Sequence, residues 1–159
     1  VDDRRLNTLS NLSNSKKIIP ATVTFVDIAG LVKGASEGEG LGNQFLTNIR
    51  ETDAIVQVVR CFEDSDVIHV AGKVDPIADI EVINLELILS DLQMADNISK
   101  KLEKQLKAKP DFVPIHATLQ KAIAHLNKGV PLRSFQGTPE EMDHICSYPF
   151  LTSKKVLYI

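Results

Sequence analysis

From Asp27 to Gly42 the sequence reads DIAGLVKGASEGEGLG, opening on the carboxylate of Asp27 and continuing through Gly30, Gly34, Gly38, Gly40 and Gly42. A carboxylate at the end of a buried strand can hold Mg²⁺ through water. The amide of a glycine three residues later can donate to a terminal phosphate. The later glycines would then form a loop free to change shape when that phosphate arrives. An Asp capping a turn ahead of a Gly-rich linker has the same local pattern, so these residues alone leave both readings open.

Asp27 needs an element to hold it. Ala21 to Val26 (ATVTFV), bounded by Pro20 and the glycines, reads as a strand that ends on Asp27. Phe45, Leu46 and Ile49 fall at helical spacing in a helix from Gly42 to Asp53. The apolar run Ala54 to Phe62 then reads as a strand buried on both faces of a parallel sheet. Strand, loop, helix and strand make a βαβ unit, and a short helix over Asp3 to Leu12 precedes it.

The second half has a different period. Leu85, Ile88, Leu92, Ala95, Ile98, Leu102 and Leu106 recur every three or four residues between Ile80 and Ala108, with no Gly or Pro before Pro110. A helix of that length measures about 43 Å at ~1.5 Å per residue, longer than a compact domain of this size needs, so it should project. Phe112, Ile115, Leu119, Ile123 and Leu126 repeat the stripe up to Gly129-Val130-Pro131. A second helix returning antiparallel buries both stripes, giving a helical hairpin or short coiled coil inserted between two strands. Thr138-Pro139-Glu140-Glu141 supplies an N-cap, a first-turn proline and a capping-box Glu for a short helix with Met142 and Ile145 inward. That helix leads to a terminal strand near Val156.

With 159 residues, 43% of them apolar, the chain is expected to be one soluble globular domain. Its formal charge of −3 argues against bulk attachment to DNA or to a membrane, and no apolar run nears the ~20 residues that span a bilayer. A cytoplasmic protein is expected. Local charge differs from the total: Lys100, Lys101, Lys104, Lys107 and Lys109 stand against Glu103 alone, a net of +4 near the distal end of the long helix. The run can serve as a solvated face that complements the helix dipole, or as a contact for RNA phosphates. Cys61 and Cys146 have no partner at metal-ligand spacing and are expected as small core residues. His69, His116, His125 and His144 form no pair or triad and read as helix-face or strand residues, while Glu37, Glu39, Asp64 and Asp66 read as solvated loop charges. The chain opens on Val1 and stops on the apolar run Val156 to Ile159, which reads as a buried strand of a longer protein.

The longer string DIAGLVKGASEGEGLGNQFLTNIRETD, Asp27 to Asp53, resembles the G3 motif and switch II of the Obg superfamily of translation-factor-class GTPases. With VVRCFE and IHVAGKVDPIADIEVINLEL, Ile68 to Leu87, it is similar to the YchF branch, the Obg-like ATPases. The likeness runs from about Val1 through Leu92 and resumes near Phe150; the hairpin matches by position and character.

The resemblance implies an α/β fold: part of a P-loop NTPase core, an Obg-type G domain, with an inserted α-helical hairpin. Residues 1–79 would be hydrolase core, 80–137 the insertion and 138–159 the return to the core. It also implies a ribosome-associated, Mg²⁺-dependent hydrolase that converts ATP slowly to ADP and acts as a nucleotide-controlled switch. Asp27 would be the Mg²⁺-associated aspartate and Gly30 the γ-phosphate sensor. Leu31 would stand where many GTPases carry a catalytic Gln; a leucine cannot orient the attacking water, so hydrolysis should be slow. No G-x-x-x-x-G-K-[ST] loop occurs in the chain, and Lys33-Gly34 and Lys73 lack its spacing. The family's P-loop would precede Val1 and its G4 motif would follow Ile159, so these 159 residues alone are expected to be inactive, with Leu31 to Gly42 mobile. An Obg-type GTPase and a non-enzymatic module presenting the hairpin are the alternatives.

Overall fold

The computed structural model describes residues 3–28, 41–64 and 73–159. Among these, five helices and two strands follow in the order α1 (Arg5–Leu12), α2 (Leu41–Arg50), β1 (Ala54–Gln57), α3 (Pro76–Glu103), α4 (Phe112–Leu126), α5 (Pro139–Cys146) and β2 (Lys155–Tyr158), with a 3-10 turn at Leu132–Ser134.

β1 and β2 pair in parallel, Ala54 with Lys155 through Gln57 with Tyr158. The ladder continues past the strands: the Ile159 amide donates to Gln57 O at 3.0 Å and the Val59 amide to Ile159 O at 2.8 Å. Parallel neighbours require a crossover connection, and here all of α3, α4 and α5 lie within it. The helical insertion between two strands is therefore observed.

α3 starts earlier than its apolar period suggests, because Asp75 accepts from the Ala78 amide and Pro76 occupies the first turn, where a missing N–H costs nothing. It ends at Glu103 and gives way to turns up to Lys109. Pro110 disfavours helical backbone at Lys109 and fixes the end of the run. α4 returns antiparallel: Ser99 meets Gln120 at 2.7 Å, and Asn84, further back along α3, meets Arg133 at 2.7 Å. Gly129, at φ 73, takes the left-handed conformation that stops the chain after α4. The capping box at the start of α5 is formed, Thr138 Oγ1 accepting from the Glu141 amide and the Glu141 carboxylate accepting from the Thr138 amide.

Two cores flank α3. Ile88 and Ala95 pack with Leu119, Ala122 and Leu126 of α4, Ile145 of α5, and Leu132, Phe135 and Phe150. On the other side Leu87 packs with Leu46 and Ile49 of α2 and with Leu151, while Ile28, Ile55 and Ile83 lie partly buried around them. Burying each of these Leu or Ile side chains is worth about 1.5–3 kcal/mol of transfer free energy.

Several expectations are corrected. Ala21 to Val26 forms no strand, and Phe25 is 80% exposed. A β-branched run becomes a strand only against a ladder partner, and β1 and β2 pair with each other, not with it. The run Ala54 to Phe62 is strand only as far as Gln57, and it is not covered on both faces: Val58 is 78% exposed, and Leu157 and Ile159 opposite are also exposed. Cys61 and Cys146 are free and exposed, not core residues.

Candidate functional site

Asp27 is exposed, and Ile28 beside it packs against the cluster of Leu46, Ile49, Leu87 and Leu151. A fixed Ile28 next to a solvent-facing carboxylate anchors the segment while leaving Asp27 available to a ligand. Gly30, Leu31, Gly34, Gly38 and Gly40 lie outside the described residues, as does most of the loop expected to be mobile; Gly42 lies in the first turn of α2. His69 and Asp66 also lie outside. No group of three or more His, Cys, Asp and Glu among the described residues could hold a metal. A single hard-oxygen ligand does suit Mg²⁺, which keeps several waters and takes one or two carboxylates plus phosphate oxygens.

The lysines gather at the far end of the hairpin. Lys100 and Lys101 occupy the last turn of α3, and Lys104, Lys107 and Lys109 follow in the turns before α4. All five are exposed. Lys100 pairs with Asp96 at 2.5 Å and Lys109 lies over the Phe112 ring at 5.2 Å. Both contacts are at the surface, where an ion pair is worth about 0–1 kcal/mol, so the ammonium groups stay available to a competing anion.

His125 and His144 make contacts within the helical half of the chain. His125 Nε2 lies 3.2 Å from both Pro131 O and Ser134 Oγ, with its ring edge-on to Phe135, and His144 Nδ1 lies 3.2 Å from Thr118 Oγ1. A cavity of about 610 Å³ opens between the start of β1 and the end of α5, lined in part by Asp53, Cys146, Tyr148 and Lys155. Asp27 is not among its described lining residues.

The most committed polar centre is one that sequence reasoning missed. Asp91, fully buried in mid-α3, accepts from the Leu151 amide at 2.9 Å, the Thr152 amide at 2.7 Å and Thr152 Oγ1 at 2.7 Å. Burial pushes its carboxyl above the ordinary range, opposed by the Thr152 and Leu151 donors and by the charge of Arg50. Thr152 Oγ1 in turn accepts from the Leu132 amide at 3.1 Å, tying the 3-10 turn to the same centre. Arg50, the last residue of α2, donates from Nη2 to Ser90 Oγ at 2.8 Å. Lys154 Nζ donates to the carbonyls of Arg50 and Thr52, satisfying groups left over at the end of that helix. A signal was present: Asp91 follows Ile88 by three and precedes Ala95 by four, which puts a carboxylate on the buried stripe.

A carboxylate ahead of a helix, a parallel strand pair and a helical insertion in the crossover make an α/β domain, and its likenesses to known proteins give the class as that of the P-loop nucleotide hydrolases. The family model described as 50S ribosome-binding GTPase matches residues 2–108, and the chain belongs to that family. It is 48% identical over 158 residues to the Haemophilus influenzae protein named ribosome-binding ATPase YchF, covering 99% of this chain and 44% of that protein. It is 47% identical over 160 residues to the Bacillus subtilis protein of the same name, with 100% and 44% covered. Among solved structures, the Schizosaccharomyces pombe YchF GTPase aligns with a TM-score of 0.74 at 39% identity, over 99% of this chain and 44% of that one. The chain thus spans less than half the length of the relatives it matches.

Proposed function

We propose that this chain is the switch-bearing part of a cytoplasmic, Mg²⁺-dependent ATPase that turns over slowly and uses its nucleotide state to govern docking on the ribosome. The observation that carries the reading is the pairing of an exposed Asp27 with a partly buried Ile28 packed against the cluster that α2 and α3 share. Asp27 would hold Mg²⁺ through water, the Gly30 amide would meet the γ-phosphate, and Gly34, Gly38, Gly40 and Gly42 would supply the backbone freedom that couples the phosphate to α2. Mg²⁺, when bound, neutralises charge that builds on the phosphates as water attacks in line. Leu31 gives that water no hydrogen bond, which keeps turnover slow until a partner supplies one. The names of the relatives support ribosome binding and nucleotide hydrolysis.

Residues 1–79 and 138–159 act as core, and 80–137 carries the exposed lysines outward. Lys100, Lys101, Lys104, Lys107 and Lys109 meet RNA phosphates, an interaction that weakens as salt rises. Phosphate release by the full-length protein tests the switch: Asp27→Asn should lower ATP turnover by about 10²-fold or more. Unchanged turnover would remove Asp27 from the mechanism. ATP should outcompete GTP; the reverse result establishes a GTPase, and binding of neither leaves a module that only presents the hairpin. Replacing Lys101, Lys104 and Lys107 together by Glu should abolish ribosome cosedimentation at low salt.

A further inference from the structure

We infer that Arg50, hydrogen-bonded to Ser90, the neighbour of the buried Asp91, is the joint that ties the orientation of α2 to that of α3 and so to the basic end of the hairpin. The inference rests on the reading above, in which the nucleotide acts on the loop that opens α2. The two helices are held together twice over. Leu46 and Ile49 of α2 share a core with Leu87 of α3. Four residues on, the Arg50 guanidinium reaches Ser90 Oγ at 2.8 Å and acts by charge on Asp91.

Three features suit this contact to transmission rather than to packing alone. Lys154 grips the carbonyls of Arg50 and Thr52, so the end of α2 cannot fray away from its contact. Asp91, next to Ser90, is bound in turn to the segment that enters β2, so α3 and that segment meet at one carboxylate beside the Arg50 contact. Arg50 Nε is buried without a hydrogen-bond partner among the described residues. The planar guanidinium is thus only partly satisfied, and a small rotation of α2 changes which of its donors are paired. Beyond Asp91, α3 runs to Glu103 without Gly or Pro. Twelve residues of helix at ~1.5 Å each carry a tilt at Asp91 about 18 Å toward the lysines.

Hydrogen exchange on the full-length protein, with ADP and then with a non-hydrolysable ATP analogue and Mg²⁺, tests the joint. In the wild type, exchanging the two nucleotides should alter amides in both α2 and the part of α3 around residues 84–95. Arg50→Met should confine the change to α2, and Arg50→Lys, which keeps the charge but not the fork, should restore it in part. Ser90→Ala removes the acceptor without stranding a charge, and keeps the test decisive where Arg50→Met fails to fold. An α3 response equal in wild type and variants, or absent from the wild type while α2 responds, overturns the joint. A protein that binds nucleotide with no response in α2 overturns the switch reading, and the joint with it.

Discussion

The two sides of α3 are finished to different degrees. Toward α4 and α5, Ile88, Ala95, Leu119, Ala122, Leu126 and Ile145 close a core with residues of this chain alone. Toward the sheet, Leu87 and Leu151 are buried against α2, yet Val56, Val58, Leu157 and Ile159 remain exposed, and among the described residues the sheet has two strands. Helical hairpins bury their stripes against neighbours near in sequence, whereas a parallel sheet completes itself with partners far away along the chain. Asp91 belongs to both sides, being on the helix that separates them and bonded to the segment entering β2.

The largest expected effect lies at that shared residue. Asp91→Ala leaves two buried amides and the Thr152 hydroxyl short of their acceptor and should destabilise the chain by about 3–5 kcal/mol in urea unfolding. A loss below ~1 kcal/mol would mean the two sides are joined by apolar contact alone. The comparison itself is tested by one pair of truncations. Leu119→Ala, in the closed core, should cost about 2–5 kcal/mol, and Leu157→Ala, on the open sheet, no more than ~0.5 kcal/mol in this chain. Equal costs would erase the distinction. Next in size, Thr138→Ala removes the N-cap of α5 and should cost about 1 kcal/mol, read as a lowered melting temperature with the α2 side unaffected.

The smallest effect separates the regions by the sign of their pH dependence. Glu141 is held below its ordinary value of 4.5 by the Lys121 ammonium and then by the Thr138 amide, so its contribution is present above that value and lost as pH falls through the lowered one. Asp91 is raised above 3.8 by burial, so its contribution is full below that value and declines as pH rises through the raised one. Melting curves of Glu141→Gln should therefore converge on wild type in acid. The deficit of Asp91→Asn should grow as the pH falls from neutral, and a deficit that shrinks would reverse the assignment at Asp91.

How far the fold could be read from sequence follows the same division. The stripes of α3 and α4, the stop at Gly129 and the capping box at Thr138 are local patterns, each decided within a few residues by helical period or a cap, and they fold as read except at the two ends of the α3 stripe, where Leu85 is exposed and Leu106 lies past the helix. Asp75-Pro76 was an equally local start signal and was passed over in favour of the apolar period. Ala21 to Val26 differs because β-propensity describes a surface that fits a partner, and among the described residues the run joins neither β1 nor β2. The exposure of Cys61 and Cys146 depends on neighbours that composition does not name.

At the candidate site, Asp27, the glycines after it and the lysines of the hairpin are visible as residue types at short spacings, which is where the proposed phosphate and RNA contacts draw their residues. Sequence alone therefore determined the helical hairpin, its place between two strands and the residues on which the proposed phosphate contact rests. Only the tertiary structure decided that Asp91 meets Thr152 sixty-one residues away, that Arg50 ends beside Ser90, and which strand faces stay open. Those are contacts between elements distant along the chain; no local period specifies them, since they exist only once packing has brought a buried charge and its donors together.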